Sequence, residues 1–223
     1  MQRRINGNAN GGSLRRTLIF LKMCLAASWA SAQVVELPDI SLAEESTIAE
    51  QPIPKLGTVQ EFVGPVATLH CSHWEVVATN QNGYVVSQCE QFKMFLKVDQ
   101  SLNLHKVTSG KDDALIFEPG YPTIEFPLQV GKRWRKQYQA YSVVEGLRWE
   151  GDVKCEVADY GDIEVAAGKF KAFRIECHDN WKVGQAASSI NTTHWYAPAA
   201  QGIVKTLSYE DPRWNAELKS YSH

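Results

Sequence analysis

Apolar and polar residues alternate along much of this chain, and the alternation predicts β-strands. In the clearest run, residues 147–157, apolar side chains occupy one phase and charged side chains occupy the other. A period of two is typical of a strand with one face buried and one face in water. Further short runs follow between Gly161 and Glu210, where Ala-Gly, Ala-Pro and Gln-Gly pairs separate them. No stretch of about 12 residues after Gln51 has a helical period.

The number and spacing of these runs predict the fold class. We expect a mainly β protein of about ten strands in a single antiparallel, strongly curved sheet or half-barrel, with few or no long helices. The same spacing is compatible with a barrel or a sandwich. Asn-Gln-Asn-Gly at 80–83 predicts a hairpin, because an Asn-Gly pair adopts the positive φ angles of a two-residue turn. Gly168 and Pro198 predict further turns, and Pro-Gly-Tyr-Pro at 119–122 predicts a loop.

The chain begins with the features of a secretory signal peptide. Four arginines precede an apolar segment at residues 18–29, and Ala-Ser-Ala at 30–32 supplies the small residues of a cleavage site. We predict a signal peptide over residues 1–32, with cleavage between Ala32 and Gln33. The apolar segment is too short to cross a bilayer, so we do not expect the chain to span a membrane after the signal is removed.

The rest of the chain divides by composition. Residues 33–55 are acidic, contain three prolines and lack aromatic residues. Such a segment cannot bury enough surface to offset the entropy of ordering it, and we predict an acidic tether. The β-rich domain is predicted over residues 56–223. Arg15 and Arg16 leave open whether export follows the general or the twin-arginine route.

The charge balance argues against one class of partner. The formal net charge is −2, and the first 32 residues contain five basic residues and no carboxylate. The remainder carries 18 basic and 25 acidic residues, a net charge of −7. A surface that binds nucleic acid needs the opposite balance. We therefore expect no nucleic-acid partner.

Four cysteines remain after the predicted cleavage: Cys71, Cys89, Cys155 and Cys177. An even number of cysteines in an exported protein predicts two disulfides. Three pairings are possible, and closeness in the sequence favours Cys71–Cys89 and Cys155–Cys177. A separate strand at residues 163–166, between the strands of the second pair, would hold those strands about 9.6 Å apart, beyond the reach of a disulfide at ~7 Å. Either that strand is short enough for the disulfide to form beyond its end, or the pairing of Cys155 with Cys177 is wrong.

Residue types that bind metals or catalyse reactions occur only in small groups. His-Cys-Ser-His at 70–73 could supply at most three metal ligands, and a disulfide would remove Cys71 from the set. His194 could accept a proton in a pocket, although a core or edge histidine is the simpler interpretation. Adjacent strand residues point to opposite faces, so Cys177 and His178 do not form a nucleophile and its base.

Other catalytic signatures are missing from the sequence. The carboxylates Glu150, Asp152 and Glu156 alternate with Arg148 and Lys154, which is typical of a solvated strand face. There is no G-x-S-x-G, no H-E-x-x-H and no Gly-rich phosphate loop. We therefore expect no enzymatic activity, no catalytic residues, no metal site and no cofactor.

Five aromatic residues occupy phases that we predict to face inward: Trp74, Trp134, Tyr138, Trp149 and Trp195. Under a curved sheet they could line an apolar cavity, and they are candidate ligand-binding residues. The alternative is an ordinary packed core that is rich in aromatic side chains.

Four short motifs resemble uncharacterised exported domains of bacteria. They are F-P-L-x-V-G-K-x-W at 126–134, V-x-A-G-x-F-K-A-F-x-I at 165–175, W-Y-A-P at 195–198 and G-x-V-K at 202–205. The resemblance covers roughly residues 70–210, and those domains are similar to the curved half-barrel fold of the bacterial lipoprotein carriers. The motifs are turns and core positions, so the resemblance implies a fold and no catalytic residues.

These patterns lead to one expected function and two alternatives. We expect an exported, non-enzymatic envelope protein, periplasmic or secreted, that binds a lipid-like or other apolar small molecule. The first alternative is a structural or interaction module that binds another envelope protein. The second is an enzyme of unrecognised type, which a pocket joining His194 to a carboxylate would favour.

Overall fold

The alternating runs form the strands of one antiparallel sheet, which confirms a mainly β protein. A computed structural model describes residues 49–50, 55–65, 71–79 and 83–222. In chain order, the strands are β1 Val59–Val63, β2 His73–Thr79, β3 Val85–Cys89, β4 Met94–Val98, β5 Leu104–Ser109, β6 Asp112–Tyr121, β7 Arg133–Ser142, β8 Leu147–Val165, β9 Gly168–Val183, β10 Ala186–Ala197, β11 Gly202–Ser208 and β12 Ala216–Ser222. Short 3₁₀ helices follow β10 and β11, at Pro198–Ala200 and Pro212–Trp214. Within these residues, no helix is long and apolar enough to cross a membrane.

The sheet closes into a barrel of twelve strands, which corrects the expectation of an open half-barrel of about ten strands. Each strand pairs with its neighbours in the sequence, and β1 also pairs with β12. Val59 faces Ser222 on one side and Glu75 on the other. Because this closing pair joins the two ends of the domain, no local pattern of residues reveals it.

The longest hairpin, β8–β9, explains the second disulfide. Val165 pairs with Gly168 across the predicted turn, and the ladder continues past the pair Cys155–Cys177. The run at 163–166 therefore continues β8 instead of forming a strand between the two cysteines. Their Cα atoms lie 4.1 Å apart and the disulfide joins them directly. The other disulfide joins Cys71 to Cys89, with a Cα separation of 6.3 Å.

Two apolar clusters lie on opposite faces of the sheet. Tyr196 and Ile203 belong to the first cluster, whereas Ala197 and Val204 belong to the second. Adjacent residues of a strand point to opposite faces, so the clusters cannot share one face. We call the face of β7–β10 that carries the first cluster the inner face, and the other the outer face. The second cluster includes Leu218 of β12 and covers the outer face near the β8–β9 turn.

Residues 122–132, between β6 and β7, cover part of the inner face. Ile124 and Leu128 are fully buried there, and the Phe126 ring lies 5.2 Å from that of Tyr196. Ala49 exchanges two backbone hydrogen bonds with Leu128, at 2.9 and 2.8 Å. Ala49 is thus part of the packed body although it lies within the predicted tether. The predicted signal peptide and most of the predicted tether lie outside the described residues.

One end of β8, β9 and β10 projects beyond the neighbouring strand β11. Pairing of β10 with β9 begins at Ala186, whereas its pairing with β11 begins at Thr192. The inner face is therefore flanked by fewer strands at this projecting end. The candidate site lies here.

Candidate functional site

Asp179 is a buried carboxylate on the inner face of β9, near the projecting end. The residue is 4% exposed. Its Oδ2 atom accepts hydrogen bonds from the hydroxyl groups of Tyr121, at 3.0 Å, and Tyr138, at 2.8 Å. Its Oδ1 atom is buried and has no hydrogen-bond partner within the described part of the chain. Buried polar atoms in folded proteins are nearly always hydrogen-bonded. We therefore take this oxygen as the centre of a candidate binding site.

A glycine allows Tyr138 to reach Asp179. Tyr138 on β7 pairs with Gly151 on β8, and Asp179 lies on the next strand, opposite Val153. The Tyr138 ring crosses over Gly151, because a Cβ atom built there would lie 2.1 Å from Cε1 of the ring. Glycine weakens a strand interior, but here it gives the ring the space to cross β8.

Aromatic rings surround the carboxylate. Ring centroids are separated by 5.1 Å for Tyr121 and Tyr138, 5.4 Å for Phe117 and Tyr121, and 6.3 Å for Phe117 and Trp149. The polar network is therefore enclosed by apolar surface, in which its electrostatic interactions are strong.

Burial dominates the electrostatics of the network. It raises the pKa of Asp179 from 3.8, while the hydrogen bonds from Tyr138 and Tyr121 oppose the change. Burial and the Asp179 carboxylate together raise the pKa values of Tyr121 and Tyr138, so both hydroxyl groups remain donors. None of the described lysine or arginine residues forms an ion pair with Asp179. The nearby Lys136 pairs instead with Glu125, at 2.8 Å.

The inner face beyond Asp179 is apolar and partly open. Moving toward the projecting end, Trp149, Trp181 and Ile190 are partly exposed, and Leu147 is 45% exposed. Their positions in the register place these side chains on the same face as Asp179. We call this surface the mouth. An apolar mouth above a few polar groups is the usual composition of a small-molecule site.

The five predicted aromatic residues do not form one site. Trp134, Tyr138 and Trp149 belong to the first cluster, and the Trp134 indole donates to the carbonyl of Pro122 at 3.1 Å. Trp195 packs with the second cluster, on the opposite face, and Trp74 lies partly buried on β2. The expected inward orientation of Trp195 was wrong because β10 is buried on both faces there, so that no polar phase marks the outer side.

The sequence patterns did not identify Asp179 or Tyr121 as candidate ligand-binding residues. A signal for Asp179 is present, since it continues the inward phase of Phe173, Ile175 and Cys177 with a charged residue. Tyr121 falls within a predicted loop, but β6 continues through it. The register shifts between the pairs Lys106–Ile116 and Leu104–Tyr121, so the intervening proline need not donate a ladder hydrogen bond.

The remaining candidate residues have structural surroundings. His194 is buried between the hydroxyl groups of Thr206, at 3.1 Å, and Thr192, at 3.0 Å, and burial lowers its pKa to about 4. Cys71 is in a disulfide, and His73 lies 3.5 Å from Glu61. His70 lies outside the described residues. Within those residues, no group of three or more potential ligands could hold a metal ion.

The outer face of β7–β10 carries paired charges around a shallow groove. Arg133 pairs with Glu156 and Arg135 with Asp152, both at 2.8 Å. The predicted solvated carboxylates therefore lie on the outer face and are partly neutralised. Tyr209 borders the groove and is 74% exposed. The disulfide Cys155–Cys177 fixes the two central strands beneath it.

Comparison with known proteins gives structural neighbours but no family. No protein-family model and no curated protein matches the chain. The chain is similar to a candidate lipoprotein from Parabacteroides distasonis, at 12% identity and a TM-score of 0.44, over 79% of this chain and 100% of that one. It is similar to a candidate exported protein with a YmcC-like fold from Bacteroides fragilis, at 13% and 0.44, over 78% and 100%.

A third neighbour is the hypothetical lipoprotein YmcC from Escherichia coli, at 10% identity and a TM-score of 0.48, over 77% of this chain and 85% of that one. The names of all three describe exported or lipoprotein-type bacterial proteins and mention no activity. At these values the neighbours assign this chain neither a detailed fold nor a function.

Proposed function

We propose that this chain is a non-enzymatic protein of the bacterial envelope that binds a small amphipathic molecule at the mouth of the inner face. The apolar part of the ligand would lie against Trp149, Trp181 and Ile190, and a hydrogen-bond donor would reach Asp179. The Oδ1 atom of this buried carboxylate, which has no hydrogen-bond partner among the described residues, carries the proposal. The two disulfides support an oxidising compartment outside the cytoplasm, and we propose the periplasm.

The binding energy would come mainly from the apolar walls. Each Å² of apolar surface removed from water contributes roughly 25 cal/mol, and one donated hydrogen bond would fix the ligand's orientation. The side chains of the mouth belong to paired strands, so little entropy would be lost in ordering them.

The proposed site is smaller than the cavity expected from the sequence. Residues 122–132 occupy the inner face beside Trp134 and bury Ile124 and Leu128. A ligand that covered the whole inner face would have to displace them. The proposed binding site is therefore confined to the mouth, where Asp179 is the buried polar group.

A second candidate function is the binding of another envelope protein along the outer face. The exposed ring of Tyr209 beside a groove of paired charges supports it, since exposed tyrosines are common in protein interfaces. Two strands locked by a disulfide would give such a partner a rigid platform.

Native mass spectrometry of protein purified from an oxidising compartment tests the two candidates. We expect a small-molecule adduct on the wild-type chain that Trp181→Ala removes. The matched control is Trp214→Ala, which alters a half-exposed tryptophan outside the mouth and should retain the adduct. The absence of any adduct, together with a protein complex that Tyr209→Ala disrupts, would contradict the proposal and favour the second candidate.

A further inference from the structure

The polar group of the ligand can be inferred from the charges around Asp179, and this inference rests on the proposed function. Three kinds of group could donate to Oδ1: water, a ligand hydroxyl and a ligand ammonium. They differ in one respect, because only the ammonium also compensates a buried negative charge. The inventory of charges around Asp179 therefore decides between them.

Within the described residues, no lysine or arginine forms an ion pair with Asp179. On β7 the inward-facing cation is Lys136, which pairs with Glu125. On β8 and β9, Asp152 and His178 lie in the outward phase, and their charges act on the pKa of Asp179 in opposite directions. Strand β10 contributes no lysine or arginine, and on β6 Asp113 pairs with Lys106. Two tyrosine hydroxyl groups stabilise the carboxylate but leave its charge uncompensated.

The surrounding rings favour a cation as well. The face of an aromatic ring carries partial negative charge and attracts ammonium groups within about 6 Å of its centroid. The rings of Tyr121 and Tyr138 adjoin the carboxylate, and the Phe117 ring contacts both of them as well as that of Trp149. A buried carboxylate beside several aromatic rings is the chemistry that recognises an amine.

We propose that the mouth binds a primary alkylammonium compound, with its N–H group donating to Asp179 Oδ1 and its apolar chain against Trp149, Trp181 and Ile190. A neutral alcohol of the same length would fill the same apolar surface and leave the carboxylate charge uncompensated. An anionic amphiphile would meet Asp179 as a like charge. The order of affinity is therefore ammonium, then alcohol, then anion.

Three probes of equal chain length test this order: n-octylammonium, n-octanol and n-octyl sulfate, each below its micellar concentration. Binding at pH 7 can be followed by calorimetry and by the fluorescence of the tryptophans at the mouth. We expect octylammonium to bind at least about tenfold more tightly than octanol, since hydrogen bonds to charged groups are stronger than neutral ones. Octyl sulfate should bind most weakly.

The failures of the two proposals give different results. Equal affinity for ammonium and alcohol, both lost in Trp181→Ala, would overturn the ammonium assignment and leave the site in place. Tightest binding of the sulfate would overturn the assignment as well. If none of the three probes binds, the proposed small-molecule function fails together with this inference.

Two asparagine variants test whether Asp179 causes the preference for octylammonium over octanol. Asp179→Asn keeps the size of the side chain and removes its charge, and it should reduce the preference for octylammonium over octanol to about twofold or less. Asp162→Asn removes an exposed carboxylate that pairs with Lys171 on the same hairpin, and it should leave the preference unchanged. A preference that survives Asp179→Asn in a folded protein would overturn the assignment. If this variant does not fold, the comparison of probes on the wild-type chain still decides.

Discussion

The two faces of β7–β10 treat the same residue type in opposite ways. Asp152 lies on the outer face, and a hydrogen bond from Arg135 lowers its pKa below 3.8. Asp179 lies on the inner face of the adjacent strand, and burial raises its pKa above 3.8. The outer carboxylate pairs with the Arg135 guanidinium, whereas the inner one accepts from two tyrosine hydroxyl groups within an aromatic cluster. The face of the sheet, more than the residue type, therefore determines the direction in which the pKa of each carboxylate shifts.

Replacing Gly151 should have the largest effect on the inner face. A methyl group at this position would lie within 2.1–2.5 Å of the Tyr138 ring, which must move and release its bond to Asp179. We expect Gly151→Ala to lower the free energy of unfolding by about 4 kcal/mol, as the sum of overpacking and a lost bond to a buried charge. Chemical denaturation measures this loss.

Gly161 provides a control on the same strand. A Cβ atom at Gly161 meets nothing closer than the Asp159 carboxylate, at 3.7 Å. Gly161→Ala should therefore change stability far less than Gly151→Ala. Equal losses in the two variants would contradict the role assigned to Gly151.

Acid should destabilise the fold through the buried histidine of the inner face. His194 has a pKa of about 4 in the folded chain, below its ordinary 6.5. Below pH 6.5 the unfolded chain therefore binds a proton that the folded chain does not bind, and stability falls as the pH decreases toward 4. The loss attributable to His194 is about 3 kcal/mol over this interval.

The contribution of His194 can be isolated by difference. Denaturation of the wild type and of His194→Gln at pH 7 and pH 4.5 should give a smaller pH dependence in the variant. Asp179 contributes in the opposite direction, since its raised pKa gives stability that is lost as the pH rises. An unchanged pH dependence in His194→Gln would contradict the account of this residue.

Removing one tyrosine hydroxyl group should have a moderate effect. Tyr138→Phe withdraws a donor from a buried carboxylate and should cost about 2 kcal/mol. Tyr209→Phe, on the exposed outer face, should cost nothing measurable. If the two variants are equally stable at pH 7, the hydrogen bond at 2.8 Å from Tyr138 to Asp179 does not stabilise the fold.

Breaking an ion pair of the outer face should have the smallest effect. Asp152→Asn weakens the contact with Arg135, but surface ion pairs are screened by water, and the change should remain below about 0.5 kcal/mol. The midpoint of urea denaturation measures it. If Asp152→Asn lowered the free energy of unfolding as much as Tyr138→Phe does, the predicted difference between the two faces would be wrong.

Much of the local structure could be predicted from the sequence. The phases of β7, β8 and β9 are correct because one face of each is polar and the other is apolar. The pairing of Cys155 with Cys177 also followed from closeness in the sequence. Closure of the barrel could not be predicted, because Val59 and Ser222 meet only in the folded chain.

The candidate site could be predicted only in part. The charged residue in the apolar phase of β9 is visible in the sequence, and Tyr138 and Trp149 were chosen by their phase. Tyr121 comes from a strand 58 residues away from Asp179, and the fit of Tyr138 over Gly151 depends on the register of β7 and β8. Such contacts belong to tertiary structure, and no periodic pattern encodes them.

The most direct test of the contrast between the two faces is a carbon-13 NMR titration of the carboxyl groups of Asp179 and Asp152. The account predicts that Asp179 ionises above pH 3.8 and Asp152 below it, and that n-octylammonium lowers the pKa of Asp179 without moving that of Asp152. Ionisation of Asp179 at or below pH 3.8 would contradict a buried, uncompensated carboxylate, and with it the basis of the proposed site.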